Sequence, residues 1–562
     1  MSSFKKHITS LGLLIVGLVL LNIGGSVFYE RFDLTQDKRY TLSDAAKETL
    51  NSIDSPILID VFLEGSFPPE FRKLQVETKQ ILDEFAADNP NIRYEFINPL
   101  AGDENQESIG QQLANIGLVA AHVQVKENGK VSNELVYPWA LAYYKDKTVK
   151  IPLLKNQLGT SSEERVNNSI QNLEYSFADG FNRLVNEKSK KVAVLKGNGQ
   201  WDDRYIADFF STLREYYFIA PFTLDSAYSN PIKTLDELKQ FDLIVSASPT
   251  ESFSDTEKYI LDQYTMHGGN SLWLIDATEI KEDSVSLKKI AFASDLNLND
   301  FFFKYGVRIN SNLVKDIYSA PIVLASGNEN EAQYNRFPWF FSPLSASSQN
   351  HPIVTNIEAV KFDYVSSIDT LPNMLDKTIL LSSSNISKIV GLPAPIDFDK
   401  EIPENLDVLN NGPDPQEFTA GETPMAVLIE GTFSSVFTNR VKPFALPDDR
   451  STSPPTKMVV ISDGDVIKNQ LDRNRPLELG FDKMTNVMYG NKEFLLNTVN
   501  YLLDDGGLIN IRTKEIAVPF LDPTKTIEQR TKWQITNLLL PLGLLIIFGV
   551  SFKFYRRRKY AH

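Results

Sequence analysis

The chain has 562 residues, of which 42% are hydrophobic and 23% charged, so it is long enough for roughly two to four globular domains. It contains no cysteine, which excludes disulfides, thiolate metal sites, thiol nucleophiles and a lipoprotein anchor. Its formal net charge is −15, and it is −22 without the seven basic residues that flank the two long apolar segments, which argues against binding to nucleic acid or to anionic lipid headgroups.

The first predicted element is a membrane-spanning helix. From His7 to Tyr29 the sequence contains no Asp, Glu, Lys or Arg, and this length is enough to cross a bilayer as a helix. A cleaved signal peptide is the alternative, because the small residues 24–26 could precede a cleavage site. The apolar region is long for a signal peptide and no A-x-A pattern follows it. We therefore predict that residues 1–29 form a short cytoplasmic N terminus and an uncleaved anchor.

Residues 30–187 are predicted to form a first extracytoplasmic α/β domain. Thr41 or Ser43 can cap a short helix. The strand, amphipathic helix and strand that follow predict a β-α-β unit, in which a parallel pair is the simplest arrangement. Alternating apolar residues then predict a β-meander, with a hairpin turn at the Asn-Gly pair of residues 128–129. A long helix closes the domain, with apolar residues at three- and four-residue steps over residues 166–184.

Residues 188–510 are predicted to form a second extracytoplasmic α/β domain with a doubly wound parallel sheet, because short apolar strands alternate with helices. One helix begins at a capping box over residues 254–257 and ends before Gly268. The stretches 392–424 and 442–456 are rich in Pro, Asp and Asn, and are predicted to be surface loops. The strands are predicted in the segments KKVAVLKG, FDLIVSASP, NSLWLIDA, KTILLSSS, PMAVLIEG and KMVVISDG.

A second membrane-spanning helix is predicted over residues 533–553, after a juxtamembrane linker over residues 511–532 and before a basic tail over residues 554–562. Lysines precede the first span, and lysines and arginines follow the second, whereas Glu30, Arg31 and Asp33 lie on the other side of the first span. The positive-inside rule therefore places both termini in the cytoplasm and about 500 residues outside it.

Signatures of catalysis are mostly absent from the sequence. It has no P-loop motif and no G-x-S-x-G elbow, so the chain is not itself a P-loop ATPase. Gly197 and Gly199 follow a strand, but the third glycine of a dinucleotide fingerprint is missing, and we predict that they serve a turn. The five histidines are too scattered for a zinc pair; His267 is predicted at a helix end and His351 in a loop. We predict a non-enzyme without catalytic residues, cofactor or metal.

The segment KMVVISDGDVIKNQ, residues 457–470, places Asp463 and Asp465 at the end of an apolar strand. An EF-hand loop starting at Asp463 would need glycine at Lys468 and glutamate at Asn474, which excludes that kind of calcium site. The Asp-Gly pair equally suits a tight turn in which aspartate side chains bond local N–H groups. We predict the turn, with a ligand or partner contact at Asp463 and Asp465 as the alternative.

Several motifs in a common order resemble those of GldG, the gliding-motility-associated ABC transporter auxiliary family. The resemblance runs from about residue 30 to residue 520. It is carried by FDLTQDKRYTLS, YILDQYTMHGGNSLWLID, NHPIVTNI, IEGTFSSVF, ISDGDVIKNQ and NKEFLLNTVNYLLDDGGLINIRTKEI.

This resemblance implies a membrane-anchored auxiliary subunit of the kind that is often labelled substrate-binding. Such proteins occur mainly in Bacteroidota and are thought to work with a polytopic permease, GldF, and a cytoplasmic ATPase, GldA. The resemblance implies location in the bacterial inner membrane, periplasmic main domains and a second domain whose core is similar to class I glutamine amidotransferases. The absence of cysteine excludes the Cys-His chemistry of those enzymes, and no catalytic residue is carried over.

Two functions therefore stand as hypotheses. The first is a non-enzymatic auxiliary subunit of an ABC transporter complex, with a permease and an ATPase as partners and no nucleic acid. The alternative is a membrane-anchored extracytoplasmic enzyme or glycan-binding protein, with a site at the strand ends near Asp463 and Gly197.

Overall fold

The structure is a computed structural model in which two compact units are distinguished, Met1–Glu515 and Ile516–His562. Most of the predicted first span lies outside the described residues, as do residues 24–26 and the predicted turn at residues 128–129; residues 12–19 are helical. The described residues are 12–19, 22, 41–65, 67–101, 106–127, 130–155, 160–282, 288–326, 333–346, 349–504, 506–514 and 523–560.

The N-terminal region of the first unit is built on a four-stranded sheet. Its elements are α1 Asp44–Asn51, β1 Ile57–Val61, α2 Pro69–Asp88, β2 Ile92–Phe96, α3 Gln106–Asn115, β3 Ala121–Glu127, β4 Lys130–Val136, β5 Trp139–Tyr144, β6 Lys147–Pro152 and α4 Ser162–Val185. The sheet has the order β2-β1-β5-β6, and β1 pairs with β2 in parallel. Because α2 joins these two strands, the predicted β-α-β unit is confirmed.

Local sequence explains most of this region. Ser43 is the N-cap of α1, and its side chain accepts a hydrogen bond from the Ala46 amide. The predicted apolar face of α4 is buried, and α4 begins at a capping box of Ser161 and Glu164. The predicted meander, however, is split: β3 and β4 pair only with each other, whereas β5 and β6 join the main sheet. Pro138, which has no N–H to donate, lies between β4 and β5.

The second region of the first unit begins with alternating strands and helices and continues through many short strands. Its first elements are β7 Lys191–Lys196, α5 Asp203–Leu213, β8 Phe218–Thr223, α6 Pro231–Leu238, β9 Leu243–Ala247, α7 Asp255–Met266, β10 Asn270–Leu274, β11 Thr278–Glu282, β12 Lys289–Ala293, α8 Asn299–Lys304, β13 Val307–Ile309, β14 Asn312–Asp316, β15 Ser319–Ser326 and β16 Gln333–Ser345. They are followed by β17 Val360–Lys361, β18 Ile368–Thr370, β19 Asp376–Ser382, β20 Ser387–Gly391, β21 Ala394–Ile396, α9 Phe398–Asn411, β22 Pro424–Ser434, β23 Thr452–Ile461, β24 Leu471–Asp472, β25 Arg475–Pro476, β26 Phe481–Asp482, β27 Val487–Met488 and α10 Asn491–Leu503.

A seven-stranded sheet with the order β19-β22-β23-β10-β9-β7-β8 is the centre of this region. The strands β8, β7, β9, β10 and β23 are parallel, as predicted. The predicted parallel sheet is therefore confirmed only in part, because β22 runs antiparallel to both of its neighbours. The described segment between β22 and β23 contains no helix, and a parallel pair needs a long crossover, usually helical, to bring the chain back.

Two stretches predicted as surface loops contain regular structure. Residues 398–411 form α9. Asp397 is its N-cap, and the Asp397 side chain accepts a hydrogen bond from the Asp399 amide. β23 begins at Thr452, inside the second predicted loop, and pairs with β22 along most of its length. The predicted capping box at Ser254 and Glu257 is confirmed at the start of α7.

Both faces of the seven-stranded sheet are covered by apolar clusters. Val245 and Leu272 lie in a cluster with residues of α5 and α10. Ile244 and Trp273, which alternate with them along β9 and β10, lie in a second cluster with residues of α6 and α7. The sheet is therefore buried on two sides, and its strand ends are the parts nearest to polar loops.

The second unit contains one long helix, α11, over Pro523–Tyr560. Its segment Glu528–Lys559 is long and apolar enough to cross a membrane. The helix begins within the predicted linker over residues 511–532, so the helical segment is longer than the predicted span over residues 533–553.

Candidate functional site

The Asp463–Asp465 segment lies at the carboxyl end of β23, between the ends of β22 and β10. The Asp465 amide donates a hydrogen bond to Asp463 Oδ1 over 2.7 Å, which is the local turn geometry predicted from the sequence. Asp463 also makes a bond that the sequence did not predict: its Oδ2 accepts from the Asp363 amide over 2.6 Å. The Asp463 side chain is completely buried, with 0% exposed.

Two neighbouring strands contribute further groups. Asp276 follows β10, and its Oδ1 accepts from the Gly464 amide over 2.8 Å. Its Oδ2 accepts from the hydroxyl of Ser248, which follows β9, over 2.6 Å. The carboxyl ends of three adjacent parallel strands thus meet at one point, where ligands of α/β sheets commonly bind.

Gly464 is at the centre of this arrangement because a side chain does not fit there. A Cβ atom added to Gly464 would lie 2.3 Å from the Asp276 Oδ2 atom and 2.3 Å from the Ser248 Cβ atom. The Gly464 carbonyl accepts from the Trp201 indole over 3.1 Å. The Asp-Gly-Asp sequence is therefore required by packing as well as by the turn.

Four aspartates, Asp276, Asp363, Asp463 and Asp465, form what we call the acidic cluster. Each of them has hydrogen-bond donors. Lys468 Nζ lies 3.0 Å from Asp465 Oδ1, and Lys361 Nζ lies 3.0 Å from Asp363 Oδ2. Amides, hydroxyls and lysines thus contact the carboxylates, and these contacts join the loops that follow β9, β10 and β23. Among the described residues, no group of three or more His, Cys, Asp or Glu side chains could hold a metal ion.

Burial raises the pKa of several of these carboxyls. It raises the pKa of Asp463 well above its ordinary value, and the neighbouring Asp465 and Asp276 raise it further. Burial also raises the pKa of Asp465 to about 6, although Lys468 opposes the shift. The pKa of Asp276 is raised for the same reason. Such shifts are common both in functional sites and in structural networks.

A cavity of about 340 Å³ lies beside the acidic cluster. Asp363, Asp465 and Lys468 line it, together with Tyr205 and Tyr489. Its walls carry charges of both signs and aromatic rings, so a small polar molecule is the chemical class that fits it best.

The loop after β7, with Gly197 and Gly199, is packed against the loop after β9. The Thr250 amide donates to the Asn198 carbonyl over 3.0 Å, and the Trp201 amide donates to the Ala247 carbonyl over 3.2 Å. A Cβ on Gly199 would lie 2.0 Å from the Thr250 hydroxyl oxygen. The crevice between these strand ends is therefore filled by the chain itself, and the glycines permit close packing.

Comparison with known proteins assigns the chain to a family. A family model described as an ABC-type uncharacterized transport system matches residues 189–498, which is more than half of the chain. The chain belongs to this family of transport-system auxiliary proteins. A second family model, described as a domain of unknown function, matches residues 36–143. The auxiliary-family match includes the seven-stranded sheet and the whole acidic cluster.

Two further similarities accompany the auxiliary-family match. An uncharacterized protein of Borreliella burgdorferi is 23% identical over 587 aligned positions, which cover 98% of this chain and 97% of that protein. Among solved structures, the N-terminal domain of mmIFT52 is 13% identical and covers 56% of this chain and 99% of that domain. Its TM-score of 0.32 is too low to support an inference about this auxiliary-family fold.

The two histidines considered from the sequence lie apart from the acidic cluster. His267 follows α7 as predicted, and its ring nitrogens lie 2.7 Å from the Gln263 carbonyl and 2.9 Å from Asp448 Oδ2. His351 contacts the Tyr501 ring, and burial lowers the pKa of His351. Asp276 and Asp363 were missed by sequence analysis. Asp276 had a signal, since it follows a buried strand as Asp463 does, whereas Asp363 had none.

Replacing Asp465 with asparagine is expected to stabilise the protein relative to the wild type. The gain in stability should be larger at pH 7.5 than at pH 4.5. The folded pKa of Asp465, about 6, lies above the value of about 3.9 for an unfolded aspartate. Stability from this group is therefore fully present below about pH 4 and is lost as pH rises through 6. Because the side chain is 31% exposed, we expect a difference of about 1–2 kcal/mol between the two pH values.

The measurement is the urea unfolding midpoint of both proteins at the two pH values. Asp472→Asn, which changes an exposed carboxylate close by in the chain, is the control and should show no such difference. An Asp465→Asn effect of equal size at both pH values would show that Asp465 does not titrate differently in the folded protein.

Proposed function

We propose that the protein is a membrane-anchored, non-enzymatic auxiliary subunit of an ABC transporter complex. The observation that carries this proposal is the auxiliary-family match over residues 189–498, followed in the same chain by the membrane-length helix segment Glu528–Lys559. A large α/β region attached to such a helix is suited to a subunit that packs beside permease helices.

A separate ATPase is part of the proposal because the sequence has no P-loop motif. A separate permease is part of it because one or two spans do not make a transport pathway. The acidic cluster supports a binding or structural role over catalysis. Its most buried carboxylate, Asp463, is 0% exposed and accepts from a backbone amide at each oxygen, which suits a structural role better than contact with a substrate.

The finer part of the proposal follows from the GldG resemblance and the distribution of basic residues. We infer a GldF-like permease and a GldA-like ATPase as partners, and an association with gliding motility. Two spans, both termini in the cytoplasm and periplasmic main domains in a bacterial inner membrane complete this assignment.

Co-purification from native membranes tests the proposal. A tagged full-length chain, solubilised in mild detergent, is expected to retain a polytopic permease and an ATPase in stoichiometric amounts. A matched chain that lacks residues 523–562 should lose both proteins while its α/β region still folds. Recovery of the full-length chain without a permease, under several detergents, would remove the proposal.

A ligand site beside the acidic cluster is the second candidate, because Asp465 and Lys468 line a cavity of about 340 Å³. It would make the protein a glycan-binding protein or an enzyme. The double variant Asp463→Asn, Asp465→Asn separates the candidates when it is tested in the same co-purification and in cells. If the folded double variant keeps full function, the hypothesis of a ligand site is excluded. If function is lost while the fold and the assembly stay intact, the hypothesis is supported.

A further inference from the structure

Two segments that are far apart in sequence are both bound to one buried carboxylate in the first unit. Glu174 lies on α4 and is 2% exposed. Its Oε1 accepts from the Ser43 amide over 2.7 Å, and Lys514 Nζ lies 2.6 Å from its Oε2. Lys514 Nζ also donates to the Thr41 carbonyl over 2.7 Å. One carboxylate and one ammonium group thus join residues that are more than 400 positions apart in sequence.

We call residues 41–43 the leading segment and residues 508–514 the trailing segment. The leading segment is held by its own apolar contact as well, since Leu42 is buried in the core of the N-terminal region. In the chain, it follows the predicted first span, and it continues into α1, which Ser43 caps. The position of the leading segment is therefore set by the core, the cap and Glu174 together.

The trailing segment is held by α4 at several points. Ile509 and Ile511 belong to the same apolar core as Leu42. Arg512 donates to Asn172 Oδ1 over 3.2 Å, and its guanidinium carbon lies 5.1 Å from the Tyr175 ring centroid. Asn172, Glu174 and Tyr175 lie within about one turn of α4, so this part of the helix contacts both Arg512 and Lys514.

The Glu174 contacts depend on one another. Charge-assisted hydrogen bonds to a buried carboxylate are stronger than neutral ones, and a buried charge without its partner is strongly unfavourable. If the trailing segment leaves, Glu174 loses its cation and the Thr41 carbonyl loses its donor. If the leading segment leaves, Glu174 loses an amide donor.

We propose that Glu174 and Lys514 form a clasp that makes the leading and trailing segments open and close together. Thr41 and Lys514, beyond which the sequence continues toward the predicted membrane spans, are then held at one place. The consequence for transport rests on the proposed function: a permease that displaced either span would act on the α/β region through α4.

Hydrogen–deuterium exchange of the full-length protein in detergent tests the clasp. Glu174→Ala is expected to speed exchange about tenfold in peptides over residues 41–51 and also over residues 506–514, because both sets of bonds are lost. Lys514→Met should likewise affect both peptides, since Lys514 bonds to Thr41 and to Glu174. Glu174→Gln keeps an acceptor for the Ser43 amide but loses the charge that Lys514 binds, so it should affect both peptides, and less than Glu174→Ala does.

Glu215→Gln is the matched control, because Glu215 pairs with Arg183 of the same helix but is exposed and distant from the clasp in sequence. It should change neither peptide. Peptides over β10 report global stability and should exchange as in the wild type. If Glu174→Ala fails to fold, Lys514→Met decides the question.

Unchanged exchange in both peptides, or a response of residues 506–514 alone to Lys514→Met, would overturn the clasp. The measurement uses the protein without a permease. A negative result therefore leaves the transporter assignment intact, and a failed co-purification leaves the clasp intact.

Discussion

Replacing Arg512 with alanine is expected to destabilise the protein by about 2–4 kcal/mol, somewhat less than the loss for a fully buried ion pair, because the Glu493 side chain is 32% exposed. The Arg512 side chain is 2% exposed and lies 2.9 Å from the Glu493 carboxylate. It also donates to the Pro352 carbonyl over 3.2 Å and to the Thr355 carbonyl over 3.0 Å. Alanine would leave these buried acceptors without their donors, and would remove the contact with α4.

In this variant Glu493 keeps its ion pair with Lys155, which limits the expected loss of stability. Lys155 lies 2.6 Å from the same carboxylate. Burial alone would raise the pKa of Glu493, but Lys155 and Arg512 together hold that pKa below its usual value. Burial in turn lowers the pKa of Lys155 to about 8. One cation of the three-residue group survives, so the variant should fold at low temperature.

Urea unfolding followed by tryptophan fluorescence and by circular dichroism measures the loss. Arg308→Ala is the matched control, because Arg308 pairs with Asp369 but is 58% exposed, and such pairs contribute about 0–1 kcal/mol. Similar midpoints for Arg512→Ala and Arg308→Ala would mean that the Arg512 contacts add no net stability.

Replacing Gly464 with alanine is expected to cost about 1–3 kcal/mol, and more if the surrounding loops cannot move. The added Cβ would overlap Ser248 and Asp276, whose side chains are fixed by their mutual hydrogen bond. The backbone would have to shift at the carboxyl ends of β9, β10 and β23. The Gly464 amide would then move away from Asp276, and a buried carboxyl would lose a donor.

The measurement is the thermal unfolding midpoint of the Gly464→Ala protein, with Gly391→Ala as the matched control. Gly391 ends β20, and an added Cβ there would meet no heavy atom within 4 Å. Its replacement should change the midpoint little or raise it slightly. A Gly464→Ala protein as stable as the Gly391→Ala protein would show that the acidic cluster accommodates a methyl group without cost.

Sequence periodicity predicted the elements that depend on local contacts. The buried face of α4 and the capping box at Ser254 involve residues a few positions apart, and both are confirmed. The β-α-β unit is also confirmed, because its three elements follow one another directly in the chain. The predicted direction of β22 was wrong because it depends on the long connection between β22 and β23. Sequence periodicity does not show how such a connection brings the chain back to the sheet. The helix over residues 398–411 was missed because its composition, with Pro403 inside, is that of a loop.

The candidate site also combines local contacts, which sequence analysis could predict, with long-range contacts, which it could not. The bond between Asp463 and the Asp465 amide spans two residues, and sequence analysis could predict it. Asp276 and Asp363 reach Gly464 and Asp463 from 188 and 100 positions away, and only the folded sheet brings them together. The raised pKa of Asp463 results from that assembly, so it could not be predicted from the motif.

The trailing segment also determines when the core of the N-terminal region can be completed during synthesis. Ile509 and Ile511 complete the core that α4 and Leu42 begin, yet the ribosome makes them long after residue 185. At about 5–20 residues per second, that interval is on the order of 15–60 s. During it the nascent N-terminal region exposes the apolar surface that the trailing segment will cover. Chaperones that bind apolar chain segments are therefore expected to act on this region until the trailing segment has been made.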